Sequence, residues 1–438
     1  MPTQLKVAVI GAGLSGLIAA RELERESHEV VVLEKSNRLG GVWVYDPKTE
    51  SDLLGLDPDR EIVHATIYKS LRTNSPRQIM GFSDYMFEGK DYGDPRMFPG
   101  HQEFLRYLED FADKFGVTKR IRFNSEVTRV DVVGSNEFEV EWKTSKVGSN
   151  LGLSSSSSKV FDAVVVCNGH NSQPRVAMDI PGILEWPKLQ LHAHNYRVPK
   201  PFQDQVVVII GNGSSAHDIS RELATVAKEI HMSSRSPNAK VSKHDKYNNT
   251  WLHSKIEGVF KDGTIKFQDE VVSVKADTII HCTGYEFHIP FLNTNGIISI
   301  NDKRVAPTYG NVFPPQLAPR LSFVGLFHTG MTFLPAELQS KWIARALSGK
   351  VSLPSEKEML NQVKIVYTQM EEKGIPKSHT HSLNLNMEYT DWLSDQLGIM
   401  RPPQKLKDFY ARFLERFRSD REDFRETFEK DLLMDNEM

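Results

Sequence analysis

Short apolar runs alternate with stretches of helical periodicity in the first part of this chain. Lys6–Ile10 is a β-branched, apolar run of the kind that forms a strand buried on both faces. A glycine-rich turn follows it, and residues 17–23 then space their apolar side chains as a helix does. A second apolar run, Glu29–Leu33, ends the segment. This order of strand, turn, helix and strand predicts a βαβ unit of a parallel sheet.

The same pattern returns in the middle of the chain. Val206–Ile210 is again an apolar run that enters a glycine turn, with a helix predicted through Leu223 and a strand near residues 229–232. The runs 164–167 and 278–282, which flank this unit, both end in a glycine turn, and we place the predicted domain boundaries at these turns. We therefore predict an α/β fold of two Rossmann-like dinucleotide-binding domains, the second inserted into the first. The predicted limits are residues 1–170 for the first domain, 171–285 for the inserted domain, and 286–438 for the return to the first domain with C-terminal helices.

Periodicity also predicts the elements around these two units. Apolar residues at helical spacing predict helices over 99–115 and 335–347, and an amphipathic surface helix that begins near residue 406 and packs by its aromatic face. Alternating apolar and polar residues predict a strand over 138–142. The serine-rich stretch 149–158 predicts a solvated hairpin loop.

The first glycine turn carries the pattern of a dinucleotide site. Gly11 permits the tight turn, Gly13 lets a pyrophosphate approach the backbone at the positive end of the helix, and Gly16 allows the helix to pack closely on the strand. Glu34 ends the second strand, where a carboxylate hydrogen-bonds a ribose. The alternative is an ordinary turn between strand and helix, but the strand, the helix and the acid at this spacing support one another.

Gly40, Gly41 and Trp43 follow Glu34 at short spacing. Paired glycines allow a second close approach of the backbone to a cofactor, which the tryptophan would cover; the alternative for Trp43 is an ordinary core aromatic. This stretch resembles the FAD site of the flavin-containing monooxygenases. An acid at the end of the second strand also suits the unphosphorylated ribose of FAD, so the implied first cofactor is FAD.

The second glycine turn differs from the first at two places. Ala216 stands where the third glycine would be, which the fingerprint tolerates. The strand after the helix ends in Ser233, Ser234 and Arg235 rather than in an acid. An acid would repel a 2′-phosphate, whereas the forked donors of Arg235 pair with it, so the second nucleotide is predicted to be NADPH; the alternative is a solvated arginine in a loop. The predicted contacts of NADPH here are Gly211, Gly213, Ser214, Ser215, Ala216 and Arg235.

Composition and charge exclude several other classes of function. The chain has 438 residues, enough for two or three domains, and 39% of them are hydrophobic. Lys and Arg total 54 against 57 for Asp and Glu, a net charge of −3, so nucleic acid is not an expected partner. The two cysteines form no Cys-x-x-Cys pair, which disfavours the disulfide reductases that also carry two dinucleotide sites.

No targeting segment, membrane span or metal site is predicted. The first strand starts at Lys6, which leaves no room for a cleavable signal, and no apolar run approaches the ~18 residues of a membrane span. A cytoplasmic protein is therefore expected, and its oligomeric state is left open. His101, His217, His281 and His328 show no ligand spacing, so no metal is assigned.

Two nucleotides in one chain imply hydride transfer from nicotinamide to flavin. Because the chain has no Cys-x-x-Cys pair, metal-ligand spacing or haem motif, the expected acceptor of the flavin's two electrons is molecular oxygen. His192 and Tyr196 fit the second half of the flavin-containing monooxygenase signature, whereas Trp186 and Lys188 depart from its first half. Residues 71–74 and 283–285 resemble the family as a whole, and residues 167–170, 192–199 and 337–342 resemble its plant S-oxygenating branch.

The resemblance implies a reaction and the residues that take part in it. In this family the reduced flavin captures oxygen as a C4a-hydroperoxide, and a soft nucleophile such as a thioether sulfur takes the distal oxygen to give a sulfoxide. Asn74 would supply a hydrogen bond near that adduct; the alternative is that Asn74 caps its own turn. The resemblance also places Leu14, Ser15, Val127, Thr283, Gly284 and Gln339 among the cofactor contacts.

The substrate implied by the resemblance is a small thioether. The plant branch oxidises thioethers of glucosinolate side chains or of S-alkenyl cysteines. An S-alk(en)yl-cysteine such as S-allyl-L-cysteine, which would give an alliin-type sulfoxide, is expected, with a glucosinolate thioether as the alternative. N-hydroxylation or a Baeyer–Villiger insertion would use the same nucleotide motifs, and Tyr196 suits N-hydroxylation better. A non-oxygenating NADPH oxidase or nucleotide sensor is the alternative of a different class.

Overall fold

A computed structural model describes residues 4–134, 137–145, 154–236, 241–268, 273–327, 330–383, 387–419 and 422–436. The chain divides into two compact units. The first unit comprises Met1–Val44, Ser75–His170 and Phe287–Glu415; the second comprises Tyr45–Asn74, Asn171–Glu286 and Arg416–Met438.

The first unit is built on a five-stranded parallel sheet. In order across the sheet the strands are Leu321–Phe323, Ala163–Val166, Lys6–Ile10, Glu29–Leu33 and Ile121–Arg122. The central strand is buried on both faces, because Val7, Ala8 and Val9 have no exposed surface. Continuous apolar runs are what a parallel sheet covered on both faces requires, and these runs predicted it.

A four-stranded sheet in the first unit corrects one expectation. Its strands are Leu292–Asn293, Ser125–Val133, Glu137–Ser145 and Ser154–Phe161, in that order. The prediction of a loop over 149–158 is wrong from Ser154 onward, because these serines pair in antiparallel register with the neighbouring strand, Ser154 opposite Ser145 and Phe161 opposite Phe138. Pairing through the backbone does not depend on apolar side chains. Residues 149–153 of that stretch lie outside the described residues.

Two smaller hairpin pairs and most of the helices complete the first unit. The pairs are Gly81–Phe82 with Tyr85–Met86, and Ser299–Asn301 with Arg304–Ala306. The α-helices that begin in this unit are Leu14–Arg25, His101–Lys114, Phe333–Leu347, Glu356–Glu372, Glu388–Leu397 and Gln404–Ser419. The helix predicted from Pro335 starts earlier, since a proline in the first turn loses no intrahelical hydrogen bond. The helix predicted near residue 406 packs by buried Tyr410 and Phe413, as expected.

The second unit is built on a six-stranded sheet around the second glycine turn. Across the sheet the strands are Leu189–His192, Thr278–His281, Val206–Ile210, Glu229–Ser233, Thr250–His253 and Ser242–Lys243, all parallel except the last. An antiparallel sheet of Ile256–Val259, Thr264–Phe267 and Val274–Lys275 and the pair Gln173–Pro174 with Tyr285–Glu286 accompany it. Its α-helices are Ser214–Leu223 and Phe424–Asn436. The predicted class, α/β with two Rossmann-like units of which the second interrupts the first, is confirmed.

Two segments cluster with the second unit although the sequence placed them in the first domain. They are Tyr45–Asn74 and Arg416–Met438. Polar side chains of the first segment find buried partners in this unit: the Glu50 carboxylate lies 3.1 Å from Nε2 of His194, and the Tyr68 hydroxyl donates to Asp218 at 2.6 Å. Within the described residues, no helix has the length and apolarity that crossing a bilayer needs.

Candidate functional site

The first glycine turn brings backbone segments together at distances that only glycine allows. An added Cβ at Gly16 would lie 1.8 Å from the carbonyl oxygen of Gly11, and one at Gly11 would lie 2.6 Å from the carbonyl oxygen of Cys167. Gly11 also has a positive φ of 101°. The turn is therefore packed between the helix and the neighbouring strand, as the fingerprint requires.

The helix after this turn presents an anion-binding end. Leu14–Arg25 begins after Gly13, which has no side chain, so no capping side chain accepts a hydrogen bond from the N–H groups of the first turn, on Leu14 and Ser15. The predicted second glycine segment lies against this turn, because Gly40 N donates to Ala12 O at 3.0 Å and an added Cβ at Gly41 would lie 3.0 Å from Gly13 Cα. These two backbones form a cradle that suits the pyrophosphate of a dinucleotide.

Glu34 is held at the edge of the same turn. Its Oε2 accepts a hydrogen bond from Ala12 N at 2.6 Å, and its Oε1 accepts one from Ser36 N at 2.8 Å. A carboxylate has about four acceptor positions, so the group keeps capacity for a ribose hydroxyl. Val127 follows close by along the chain, since Ser125 N donates to Glu34 O at 2.8 Å and the strand bulges between Val127 and Arg129.

The contacts of Trp43 and Gln339 define what each side chain does in the structure. The Trp43 ring is partly buried and lies 4.6 Å from the Phe104 ring, so one side of it packs on the core. Gln339 is fully buried, and its Oε1 accepts from Gly325 N at 3.0 Å while its Nε2 donates to Tyr389 at 2.7 Å. Its amide thus acts on Gly325, a residue that sequence reasoning missed.

Gly325 lies beside the start of the first helix. An added Cβ there would be 2.6 Å from Ser15 Oγ, and the residue has a positive φ of 84°. Gln339 therefore lies behind the first glycine turn, where its side chain holds the backbone of Gly325. A glycine within a strand-to-loop segment, Val324-Gly325-Leu326, was the available signal.

The second glycine turn repeats the geometry of the first. An added Cβ at Gly211 would lie 2.4 Å from the carbonyl oxygen of Cys282, just as one at Gly11 would lie close to the carbonyl oxygen of Cys167. The helix Ser214–Leu223 again has no side-chain cap at its start, and no atom lies within 4 Å of an added Cβ at Gly213. Ala216 is completely buried, whereas Ser214 and Ser215, in the first turn, are partly or fully exposed.

A cavity of about 230 Å³ opens in front of this second turn. Three basic side chains line it: Arg235, Arg175 and Lys255. Arg235 is exposed and forms no ion pair with any described residue, while Arg175 and Lys255 lie 3.4 Å and 3.5 Å from Glu286 and Asp179. Three cations at the end of a helix suit a ligand with several phosphates. Arg175 and Lys255 were missed because they lie outside the motif and carry no local pattern.

Thr283 and Gly284 hold one of these cations in place. The Thr283 hydroxyl donates to the carbonyl oxygen of Arg175, and Arg175 N donates to Gly284 O at 3.0 Å. Burial raises the pKa of the following Tyr285, which stays a neutral phenol. The predicted contact residues at 283–284 therefore shape the cavity wall, and Thr283 lines the cavity itself.

Asn74 is exposed, and its side-chain oxygen accepts a hydrogen bond from Arg425 Nη2 at 2.7 Å. The donor to this oxygen is thus a residue far along the chain, and no hydrogen bond from the turn of Asn74 itself is found among the described residues. The amide nitrogen of Asn74 makes no hydrogen bond to the described residues, so the side chain presents donors outward.

The segment that carries the partial signature, residues 186–196, forms structural contacts within the second unit. His192 Nδ1 accepts from His194 N at 3.0 Å, and the Tyr196 hydroxyl donates to Glu222 at 2.6 Å. Lys188, which departs from the signature, donates to Ala276 O at 2.7 Å and so holds the segment in another way. Trp186, the other departure, is buried in the core. None of these residues lines the cavity before the second glycine turn.

The lone histidines have structural partners. His281 is fully buried with Nε2 3.0 Å from Gln190 Oε1, and burial lowers its pKa to about 4, so the ring is neutral. His217 Nδ1 lies 2.5 Å from Glu422 Oε1, and His101 is buried. His328 lies outside the described residues.

Comparison with known proteins identifies chains with the same arrangement. The model of the family described as flavin-binding monooxygenase-like matches residues 4–254 and 248–403. The chain is 52% identical to the flavin-containing monooxygenase FMO GS-OX5 of Arabidopsis thaliana over 91% of this chain and 86% of the relative. The solved structure of S-allyl-L-cysteine S-oxygenase from Allium sativum superimposes with a TM-score of 0.92 at 48% identity, over 97% of this chain and 95% of that one. Tmm from Pelagibacter sp. strain HTCC7211 superimposes with a TM-score of 0.79 at 25% identity, over 96% of this chain and 92% of that one.

Proposed function

The chain belongs to the flavin-binding monooxygenase-like family, and from this premise we propose that it oxygenates the sulfur of a small thioether to a sulfoxide. It is a flavin-dependent monooxygenase, and its cofactors are FAD and NADPH. The substrate we propose is an S-alk(en)yl-cysteine such as S-allyl-L-cysteine. The observation that carries this choice is the 48% identity to an S-allyl-L-cysteine S-oxygenase over nearly the whole of both chains.

We propose that the first glycine turn holds FAD. The uncapped start of Leu14–Arg25 and the cradle of Gly13 and Gly41 suit its pyrophosphate, and the Glu34 carboxylate suits a ribose hydroxyl. Gln339 keeps Gly325 against Ser15 and so maintains the shape of this end of the site. When bound and reduced, FAD supplies activation of molecular oxygen for transfer to a nucleophilic sulfur.

We propose that the second glycine turn holds NADPH. The start of helix Ser214–Leu223 accepts the pyrophosphate, and Arg235 pairs with the 2′-phosphate of the adenosine ribose. Arg175 and Lys255 add positive charge along the same cavity, which strengthens binding of a phosphate-rich ligand.

A glucosinolate thioether is the second candidate substrate. The observation that favours it is the 52% identity to the Arabidopsis FMO GS-OX5, which exceeds the identity to the Allium enzyme. Both candidates present a neutral thioether sulfur and differ in the polar group attached to it. N-hydroxylation and a non-oxygenating NADPH oxidase are the remaining alternatives.

Product analysis tests the proposal. The enzyme, loaded with FAD, receives NADPH, ¹⁸O₂ and one of three compounds: S-allyl-L-cysteine, a methylthioalkyl glucosinolate or a tertiary amine. One labelled oxygen on S-allyl-L-cysteine, with NADPH consumed in equal amount, supports the proposal. Label on the glucosinolate alone moves the assignment to the second candidate. Label on the amine alone, or NADPH consumption that yields only peroxide, overturns S-oxygenation of these thioethers.

We also propose a cytoplasmic location. Cys167 and Cys282 are both free thiols, as is usual in a reducing compartment. Imaging of a tagged full-length chain in its own cells checks this, and a signal confined to a secretory organelle would contradict it.

Asn74→Ala is expected to leave the rate of flavin reduction by NADPH unchanged while hydrogen peroxide release increases. The outward-facing Asn74 amide is the proposed donor to the reacting oxygen, and loss of one hydrogen bond, worth about 1 kcal/mol, should raise the peroxide share of consumed NADPH roughly fivefold. Parallel assays of peroxide and NADPH measure this share. Asn293→Ala, which removes an exposed amide bonded to Asp131, is the matched control. Unchanged coupling in Asn74→Ala would refute the role of Asn74.

A further inference from the structure

Arg425 lies near the start of the C-terminal helix Phe424–Asn436 and is only 3% exposed. Its Nε donates to Thr73 O at 3.0 Å, and its Nη2 donates to Asn74 Oδ1 at 2.7 Å. Its two terminal nitrogens also donate to the two carboxylate oxygens of Asp218, both at 3.0 Å. One buried guanidinium therefore joins the loop that carries Asn74 to the helix that follows the second glycine turn.

The identity of the donor determines how the Asn74 amide is turned. A guanidinium has five donors and no acceptor, so it must face the oxygen of the amide and never its nitrogen. Asn74 is exposed, and with its oxygen occupied it presents only the NH₂ group to its open side. A charged donor on the oxygen also polarises the amide, which makes the opposite N–H groups better donors.

Asp218 anchors Arg425 in this position. The carboxylate is nearly buried and also accepts from the Tyr68 hydroxyl at 2.6 Å and from Arg221 Nη1 at 3.0 Å. Burial alone would raise the pKa of Asp218, but the charge of Arg425 and the hydrogen bonds from Arg425 and Tyr68 hold it below its ordinary value. The carboxylate therefore stays ionised and pairs with the guanidinium in a bidentate geometry that a lysine cannot reproduce.

We propose that Arg425, fixed by Asp218, is a positioning residue that turns the Asn74 amide so that its NH₂ group faces the reacting oxygen. The proposal rests on the role of Asn74 in the proposed function. It assigns to the C-terminal helix a part in the coupling of NADPH consumption to oxygen transfer. Residues 71–74 and 416–438, far apart in sequence, belong to the same compact unit.

The test compares Arg425→Ala and Arg425→Lys with the matched control Arg416→Ala. Arg416 lies in the same C-terminal region and forms a partly buried ion pair with Asp431. The first readout is hydrogen–deuterium exchange of peptides that cover residues 68–75, measured on the FAD-loaded enzyme without NADPH or substrate. The second is the peroxide share of consumed NADPH, together with the rate of flavin reduction.

Arg425→Ala is expected to speed exchange at residues 68–75 and to raise the peroxide share roughly threefold, while flavin reduction stays within about twofold of wild type. Arg425→Lys keeps the positive charge but loses the bidentate geometry of the guanidinium. Its exchange rate and its peroxide share should therefore lie between those of Arg425→Ala and wild type. In Asn74→Ala the further change Arg425→Ala should add nothing to the peroxide share, because both act through one amide. Arg416→Ala should behave as wild type.

Exchange and coupling as in wild type for both Arg425 variants would overturn the proposal, as would a peroxide effect that adds fully to that of Asn74→Ala. If Arg425→Ala does not fold, Arg425→Lys decides by the same two readouts. Failure of the proposed substrate would show as absence of labelled sulfoxide in the wild-type enzyme. That outcome leaves the exchange readout unaffected, because it uses no substrate, and the rate of peroxide release then replaces the peroxide share as the second readout.

Discussion

A chain with Gly16→Ala is expected to purify without FAD and to unfold at a lower temperature than wild type. The added methyl carbon would lie 1.8 Å from the carbonyl oxygen of Gly11, far inside van der Waals contact, and neither backbone has room to move because Gly11 is itself packed against Cys167. Overpacking of a core costs about 1–3 kcal/mol and occasionally more, and here it also displaces the helix end that receives the pyrophosphate. The ratio of flavin absorbance to protein absorbance measures the loss.

Two matched variants separate this clash from the general cost of changing a residue. Gly258→Ala adds the same methyl group in strand Ile256–Val259, where it would make an ordinary contact at 3.6 Å with the Pro181 carbonyl oxygen, so FAD content should stay normal. Ala216→Gly makes the reverse change at the corresponding position of the second turn and costs about 1 kcal/mol of helix propensity. Normal FAD content in Gly16→Ala would mean that the first turn does not hold the cofactor.

The geometry of the two glycine turns was predictable because it is set locally. Strand, glycines and helix follow one another within a short stretch, and the steric reason for Gly11, Gly16 and Gly211 is a contact with the neighbouring backbone that the βαβ unit always brings close. Arg235 was singled out for the same reason, since it follows the second strand of the unit, and it lines the cavity, while its pairing with a 2′-phosphate stays a prediction.

The errors came from partners that are distant along the chain. Ser154–Phe161 is a strand because Glu137–Ser145 pairs with it, although its serines are individually poor strand formers. The place of Asn74 depends on Arg425, and that of Glu50 on His194, through contacts that no periodicity encodes. The partners of the Gln339 amide, Gly325 and Tyr389, are also distant along the chain or outside any motif, and its contact with the cofactor stays a prediction.

The cavity wall shows the same limit. Arg175 and Lys255 reach the space in front of the second turn from segments on either side of the motif. Thr283 positions Arg175 through the backbone, because its hydroxyl donates to the Arg175 carbonyl oxygen. A sequence motif reports the residues that bind through the backbone of one turn. It does not report the side chains that other strands carry to the same place.

Arg235→Ala is expected to raise the KM for NADPH roughly thirtyfold and to change the KM for NADH less than about twofold. The Arg235 side chain lines the cavity, is exposed, and is engaged in no ion pair with a described residue, so a 2′-phosphate is the natural partner of its forked donors. A charge-assisted pair of this kind is worth about 2 kcal/mol at a partly solvated site, which corresponds to the stated factor. NADH lacks the 2′-phosphate, so its binding does not depend on this pair.

Steady-state kinetics with both nucleotides measure the effect, and the ratio of the two KM changes is the decisive quantity. Lys255→Ala serves as the matched variant, because it removes a positive charge from the same cavity that is already paired with Asp179, and should shift both nucleotides by a similar, smaller factor. Arg235→Lys should recover part of the NADPH affinity, since it keeps the charge and loses the bidentate geometry. Equal rises in KM for NADPH and NADH in Arg235→Ala would show that Arg235 does not bind the 2′-phosphate. Any preference for NADPH would then be assigned to Arg175 and Lys255.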